Sequence, residues 1–347
     1  MTIFLDYNKG KLGIIYSKSG EHFAKKVVKE LDAIISESKK SSEQDARLVR
    51  TTKSTIFQNK ELKTEIEECI RNQDIYIFQD VENHSEGLSV NDNFMELKTA
   101  IYAAKLSNAH TITAVIPVFP YARQDKAKSR EGINAAMVAR ELEDAGASRV
   151  MTLDIHNEAI AGFFRNANLE NLRASKSLID YVHKHFETEK LMVVAPDTGG
   201  ADRANFFARK LGTKLAMIYK ERDYSTANTI ENMSLIGNVN GKDVYVVDDM
   251  IDTAGTVVNA AKKLKDKGAN KIYFGASLTL FSGPAIERLD KAHEEGYIDK
   301  VVGTNVIFKP EDFKTQHPWY DEVNLERYFA RVIYNINKGK SISKLLE

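Results

Sequence analysis

The stretch VVDDMIDTAGT, residues 246–256, runs from apolar residues into two adjacent aspartates and then into a turn of small and hydroxyl residues. Val244–Val247 fits a strand buried on both faces, the kind found in parallel sheets. Asp248 and Asp249 then emerge at its carboxyl end, where open parallel sheets bind ligands. Asp252, Thr253, Ala254, Gly255 and Thr256 form a compact turn into the next helical pattern. Gly255 permits tight backbone geometry, and the first N–H groups of that helix lack intrahelical partners. Such a turn cradles a phosphate monoester, with the carboxylates placed for sugar hydroxyls or a metal. The same residues also read as an ordinary capped helix, with Asp252 or Thr253 as N-cap.

The surrounding composition sets the class. The chain has 347 residues, more than one typical domain and enough for two. A hydrophobic fraction of 43% can fill real cores, and 49 basic residues balance 49 acidic ones. That balance excludes the strongly basic character of a dedicated nucleic-acid binder, so no nucleic-acid partner is expected. Cys69 is the sole cysteine, which excludes a disulfide scaffold. The opening MTIFLDYNKGKLGII lacks the basic lead and apolar run of a secretory signal. No run approaches the ~18 apolar residues of a membrane span. The expectation is a soluble cytoplasmic protein with no membrane partner.

Short β-branched runs alternate with longer helical patterns. Strands are expected at Leu12–Tyr16, Ala46–Thr51, Asp74–Gln79, Thr111–Val118 and Arg149–Ile155. A second set is expected at Leu191–Ala195, Lys214–Tyr219, Asp243–Val247, Lys271–Thr279 and Val301–Ile307. Helical patterns cover Glu21–Ile35, Asn93–Leu106, Glu131–Ala145 and Ala254–Lys267. In the third, Ile133, Met137, Val138 and Leu142 share one face. In the last, Val257, Ala261 and Leu264 do so, and Gly268 stops the helix. This is repeated α/β packing around mostly parallel sheets. The halves also echo one another: QDIYIFQD (73–80) matches KDVYVVDD (242–249), and AAKLSNAHTITAV (103–115) matches AAKKLKDKGANKIYFGA (260–276). Two related domains follow, 1–165 and 166–347.

Other segments carry chemistry. VFPYARQDKAKSRE (118–131) holds Arg123, Lys126, Lys128 and Arg130, with Gln124 and Asp125 between them. A basic loop at a strand's carboxyl end can grip a polyphosphate, although a solvated charged loop has the same composition. MTLDIHNEAIAGFF (151–164) ends a strand with Asp154 and then His156. Its imidazole can ligate a divalent cation, meet a phosphate when protonated, or make an ordinary edge hydrogen bond. VVAPDTGGADRA (193–204) places Asp197 before Gly199 and Gly200, which suits a metal–phosphate site or simple helix capping. Arg203, one helical turn on, reads as packing or charge. LAMIYKERDYS (215–225) puts Lys220 and Arg222 just after a strand, on a segment that closes on transferring phosphates or is merely solvated. STIFQNKELKTEIEECIR (54–71) holds Phe57, which stacks on a base or fills a core, and Glu61, which can accept from a base amino group.

Taken in order, these segments resemble the ribose-phosphate pyrophosphokinases, whose domains are of the type I phosphoribosyltransferase kind. VVDDMIDTAGT is similar to the family's phosphoribosyl-pyrophosphate motif, and Arg123, Gln124 and Asp125 to the core of its ATP loop. FQNKE (57–61) resembles its adenine segment FSDGE, with Asn59 and Lys60 in place of Asp and Gly. The resemblance spans roughly residues 10–345 and includes VNDNFMEL (90–97), SGPAIERL (282–289) and TN (304–305). It departs at DVENHSEGLS (80–89) and at Gly132, where proline is usual.

The resemblance implies an α/β protein of two phosphoribosyltransferase-like domains, each with a mostly parallel sheet flanked by helices. The first would contribute the ATP site through Phe57, Asn59, Glu61, Arg123, Gln124 and Asp125. The second would hold ribose 5-phosphate through Asp197, Asp248, Asp249, Asp252, Thr253, Ala254, Gly255 and Thr256. His156 and Asp197 would organise Mg2+, and Lys220, Arg222 and His156 would be catalytic. The implied products are 5-phosphoribosyl 1-pyrophosphate and AMP, and the implied assembly is a homo-oligomer built from dimers, up to a hexamer. A phosphoribosyltransferase and a non-catalytic regulatory homologue are the alternatives. An ordinary P-loop kinase is disfavoured, because GKS (339–341) lacks the upstream glycine.

Overall fold

The runs LGIIY, DIYIF and LMVVA are buried at every position, as strands covered on both faces must be. The computed structural model describes residues 10–37, 47–48, 52–222 and 230–346, without the side chains at 47–48, 220–222 and 230–233. The first elements in chain order are β1 (Leu12–Tyr16), α1 (Glu21–Glu37), β2 (Arg47–Leu48), β3 (Lys53–Ile56), β4 (Leu62–Glu65) and β5 (Asp74–Phe78). Then come α2 (Val90–Leu106), β6 (Thr111–Val115), α3 (Asn134–Ala145), β7 (Arg149–Leu153), β8 (Asn168–Leu172) and α4 (Ser175–His185). They are followed by β9 (Leu191–Ala195), α5 (Ala201–Leu211), β10 (Lys214–Arg222), β11 (Ile230–Ile236), β12 (Asp243–Ile251) and α6 (Gly255–Asp266). The last are β13 (Ile272–Thr279), α7 (Ala285–Glu294), β14 (Lys300–Thr304), α8 (Phe313–Gln316), β15 (Tyr320–Val323), α9 (Glu326–Asn337) and α10 (Ser343–Leu346).

The chain forms two units. The first comprises Met1–Arg173, Val306–Phe308 and Leu325–Glu347, and the second Ala174–Asn305 and Lys309–Asn324. In the first, an all-parallel sheet runs β2-β1-β5-β6-β7-β8, with β3–β4 as a separate antiparallel hairpin. Its core gathers Ile75, Ile77, Leu97, Ile101, Val138 and Leu142. In the second, the order is β11-β10-β9-β12-β13-β14-β15, and only β10–β11 is antiparallel. Its core gathers Val194, Val246, Val257, Leu264, Phe274 and Trp319. The orders β1-β5-β6-β7-β8 and β9-β12-β13-β14-β15 repeat each other. The sequence echo is therefore an echo of topology, with QDIYIFQD on β5 and KDVYVVDD on β12.

The division differs from a single break after residue 165, because the chain returns to the first unit at its end. Helix α9 buries Phe329, Val332, Ile333 and Ile336, a stripe that needs an apolar partner. Helix α1 supplies one: Phe329 meets Phe23 edge-on with ring centroids 5.0 Å apart. Arg327 pairs with Glu30 and Glu37, and Asn337 Nδ2 donates to the buried Asp74 carboxylate at 2.9 Å. Other expectations shift at the edges. Helix α3 starts at Asn134 and buries Ala135, Val138, Ala139 and Leu142, leaving Ile133 and Met137 exposed. Hairpin β3–β4 and edge strands β8, β11 and β15 lack the long apolar runs that mark central strands.

Phe329→Ala is expected to destabilise the first unit by about 3–5 kcal/mol, the usual cost of emptying a buried aromatic site. Amide hydrogen exchange in residues 21–37 should quicken with that in 326–337. Unchanged exchange in α1 would contradict the assignment of α9.

Candidate active site

Strand β12 does not end at Val247. It stays paired with β13 through Ile251↔Thr279, whereas its pairing with β9 stops at Val246↔Val194. Asp248 and Asp249 therefore lie on the overhanging end of the strand, not beyond it. Asp248 Oδ1 accepts the Asp249 amide and Asp249 Oδ1 accepts the Met250 amide, each at 2.9 Å. Asp249 is buried, and Asp248 keeps 29% of its side chain accessible. Arg203 of α5 brings Nη1 to 3.9 Å from Asp248 and 3.6 Å from Asp249. Burial, and next the adjoining Asp249 carboxylate, push the Asp248 acid well above the usual carboxylate range, and Arg203 pulls against them.

Asp197 follows β9. Its Oδ1 accepts the Gly200 amide at 3.0 Å, at the start of the helix that carries Arg203. A Cβ on Gly199 would lie 3.3 Å from that oxygen, so glycine keeps the approach to the carboxylate open. Helix α5 thus ties Asp197 to the aspartate pair. Arg203, read from sequence as packing or charge, is a cation facing both carboxylates.

The turn after β12 settles the capping question. Helix α6 has Ala254 as its N-cap, at a left-handed φ of 58°, with no side-chain hydrogen bond. Neither Asp252 nor Thr253 is the cap. Thr253 and Thr256 are exposed, Asp252 and Gly255 half-buried and Ala254 buried. The first turn of α6 keeps an N-terminal face suited to an anion.

In the first unit FQNKE is the tip of the β3–β4 hairpin. The Phe57 amide donates to Glu61 O at 2.9 Å, the Lys60 amide to Phe57 O at 2.8 Å and the Glu61 amide to Asn59 Oδ1 at 3.2 Å. Phe57 is 47% exposed, so it is not a core residue. The hairpin is tied to α2 by a bond from Ser54 to the buried Glu96 and by Thr64 Oγ1 to Thr99 Oγ1 at 2.7 Å.

The basic loop bends at Tyr121, where φ is 59°. The Gln124 amide donates to Tyr121 O at 2.9 Å, and Gln124 O accepts the Ala135 amide at 3.2 Å. Arg123, Lys126, Lys128 and Arg130 are exposed. The Asp125 carboxylate accepts from Asn157 Nδ2, which fastens this loop beside the exposed His156. Asp154 is buried at a φ of 41°, with Arg173 Nη1 3.6 Å from its Oδ1. The Asn157 contact has no simple motif, because its partners stand 32 residues apart.

Lys220 and Arg222 depart from expectation. Their backbone lies on β10, opposite Met233 and Ile230 of β11, not on a loop after the strand. Their side chains, and residues 223–229, lie outside the described residues.

Residues 12–146 match the family described as the N-terminal domain of ribose phosphate pyrophosphokinase, and residues 166–317 match the phosphoribosyl transferase domain. A ribose-phosphate pyrophosphokinase of Chlorobaculum tepidum is 41% identical over 296 residues, covering 85% of this chain and 87% of that one. This chain belongs to the ribose-phosphate pyrophosphokinase family. A ribose-phosphate pyrophosphokinase 1 of Listeria monocytogenes is 37% identical over 346 residues, 99% of each chain. The crystal structure of a phosphoribosylpyrophosphate synthetase from Mycobacterium smegmatis superposes with a TM-score of 0.81 at 30% identity, covering 95% of this chain and 100% of that one.

The raised pKa of Asp248 has a thermodynamic consequence. The folded, ligand-free protein holds this proton at pH values where the unfolded chain, with an ordinary carboxyl near ~3.9, has lost it. The folded state then binds more protons, so this group lowers stability as pH rises above about 4. Asp248→Asn should remove that share of the fall. The melting temperature of the variant minus that of the parent should grow with pH between ~4.5 and ~8. A difference independent of pH would contradict the assignment.

Proposed function

We propose that this chain transfers the β,γ-pyrophosphoryl group of ATP to the anomeric hydroxyl of ribose 5-phosphate, giving 5-phosphoribosyl 1-pyrophosphate and AMP. One observation carries the sugar-phosphate assignment: a helix N-terminus without a side-chain cap directly follows a carboxylate pair held by an arginine. Full-length similarity to the pyrophosphokinases supports the reaction. In this reading residues 252–256 take the 5-phosphate, and Asp248 and Asp249 accept from ribose hydroxyls. Phe57 offers an exposed ring to the adenine, with Asn59 and Glu61 at the same turn. Arg123 and Gln124 meet the triphosphate, and Asp125 holds their loop. The anomeric hydroxyl gives up its proton to solvent and its oxygen bonds to the β-phosphorus, as the bond from that phosphorus to the α,β-bridging oxygen breaks and AMP departs with that oxygen. Positioning and charge neutralisation supply most of the catalysis in such transfers, which is the part assigned to Lys220, Arg222 and His156.

Among the described residues no three His, Cys, Asp or Glu side chains gather as a metal cage. Mg2+ needs only one or two carboxylates when substrate phosphates complete its shell. Asp197, half-buried at a strand end beside two glycines, fits that role; the metal role of His156, which lies on the first unit, rests on the family resemblance alone. Bound there, the cation would neutralise phosphate charge.

Association into dimers and larger homo-oligomers belongs to the same proposal. It is supported by Met95, Tyr102 and Leu106 of α2, which are 46%, 52% and 66% exposed at helical spacing. Cytoplasmic action is also part of it. No helix among the described residues is long and apolar enough to cross a membrane.

Mass spectrometry of a reaction with Mg2+, ATP and ribose 5-phosphate tests the proposal. AMP and phosphoribosyl pyrophosphate should form in equal amounts. ADP with a singly phosphorylated sugar product would indicate ordinary γ-phosphoryl transfer. Binding of MgATP without turnover would indicate a regulatory homologue.

A further inference from the structure

The turn assigned to the sugar phosphate is held from one side. Ile251 O accepts the Leu280 amide at 2.9 Å and the Phe281 amide at 3.2 Å, and Asp252 O accepts the Ser282 amide at 3.0 Å. Thr253 O accepts from Arg288 Nη1 at 2.9 Å. Successive carbonyls thus face residues 280–288. In a trans peptide the C=O and N–H point in opposite directions, so the amides of Asp252, Thr253 and Ala254 face away from that segment.

The anchors on Ile251 and Asp252 are main-chain donors, which almost any sequence would supply. The anchor on Thr253 is a side chain, projected from the first turn of α7. It acts where the backbone is least comfortable. The peptide it holds leads into Ala254, a non-glycine residue at a φ of 58°. A Cβ on Gly255 would lie 3.5 Å from the same Nη1, so the guanidinium lies along the turn. It also places a positive charge beside the N-terminus of α6, where the helix dipole disfavours cations unless an anion is shared.

We infer that Arg288 is a positioning residue of the ribose 5-phosphate site, whose hydrogen bond to Thr253 O turns the Ala254 amide toward the 5-phosphate. The inference rests on the proposed reading of that turn. The Arg288 fork donates to a carbonyl while its charge complements the phosphate. Lysine at this position would keep the charge and rotatable N–H donors but not the planar fork.

Calorimetric titration of ribose 5-phosphate and of ribose against the parent, Arg288→Ala and Arg288→Lys tests it, together with steady-state kinetics. The parent should prefer ribose 5-phosphate to ribose. Arg288→Ala should weaken ribose 5-phosphate on the order of tenfold, in keeping with loss of a charge-assisted bond, and leave ribose unchanged. Its KM for ribose 5-phosphate should rise while kcat and the KM for ATP stay close to the parent values. Arg288→Lys should recover part of the affinity. Equal weakening of both sugars would show a general structural role and overturn the inference, as would unchanged affinity in both variants. A parent without preference for the phosphorylated sugar would sink the reading of the turn itself, and the inference with it.

Discussion

The first amides of a helix have no partners within the helix, and this chain meets that constraint in opposite ways at two equivalent places. In the first unit, α2 is closed by its own residues: Ser89 and Asp92 form a reciprocal capping box. In the second unit, α6 has Ala254 as its N-cap and no side-chain cap. Both helices follow the corresponding strand of a repeated topology. One N-terminus is satisfied internally, and the other carries no side-chain cap.

The strand ends before these helices differ in the same sense. Gln79 and Asp80 stand where Asp248 and Asp249 stand in the echoing segment. Gln79 is buried and donates to Ser19 Oγ at 2.7 Å and to Glu96 Oε2 at 3.2 Å. Asp80 accepts the amides of Glu82 at 3.1 Å and Phe308 at 2.9 Å. This polar cluster is consumed in holding the first unit together. In the second unit two neighbouring carboxylates share one arginine, and burial holds the Asp248 acid well above its ordinary range. Such unspent electrostatics are more typical of binding sites than of scaffolds.

Central strands and their alternation with helices were legible because buried parallel strands are continuous apolar runs; β1 and β9 were read to the residue. Hairpin β3–β4 was not, because its short strands bury no residue fully and its tip places Phe57 in solvent. The return of α9 to the first unit was invisible, since pairing Phe329 with Phe23 requires contacts across most of the chain. At the site, the turn after β12 announced itself by composition. The extension of β12 to Ile251 did not, because Asp248 and Asp249 are poor strand formers kept in the ladder by β13. The meeting of Arg203 with the aspartates joins different elements, and no local spacing encodes it.

The central claim is a division of labour, with the sugar phosphate held by the second unit and the nucleotide by the first. Hydrogen exchange with each ligand alone tests it most directly. Ribose 5-phosphate should slow exchange at residues 252–258 and leave 119–130 unchanged, while ATP with Mg2+ should protect 119–130 and the hairpin tip at 57–61. Protection of 89–93 by ribose 5-phosphate, or no effect on 252–258, would contradict the account.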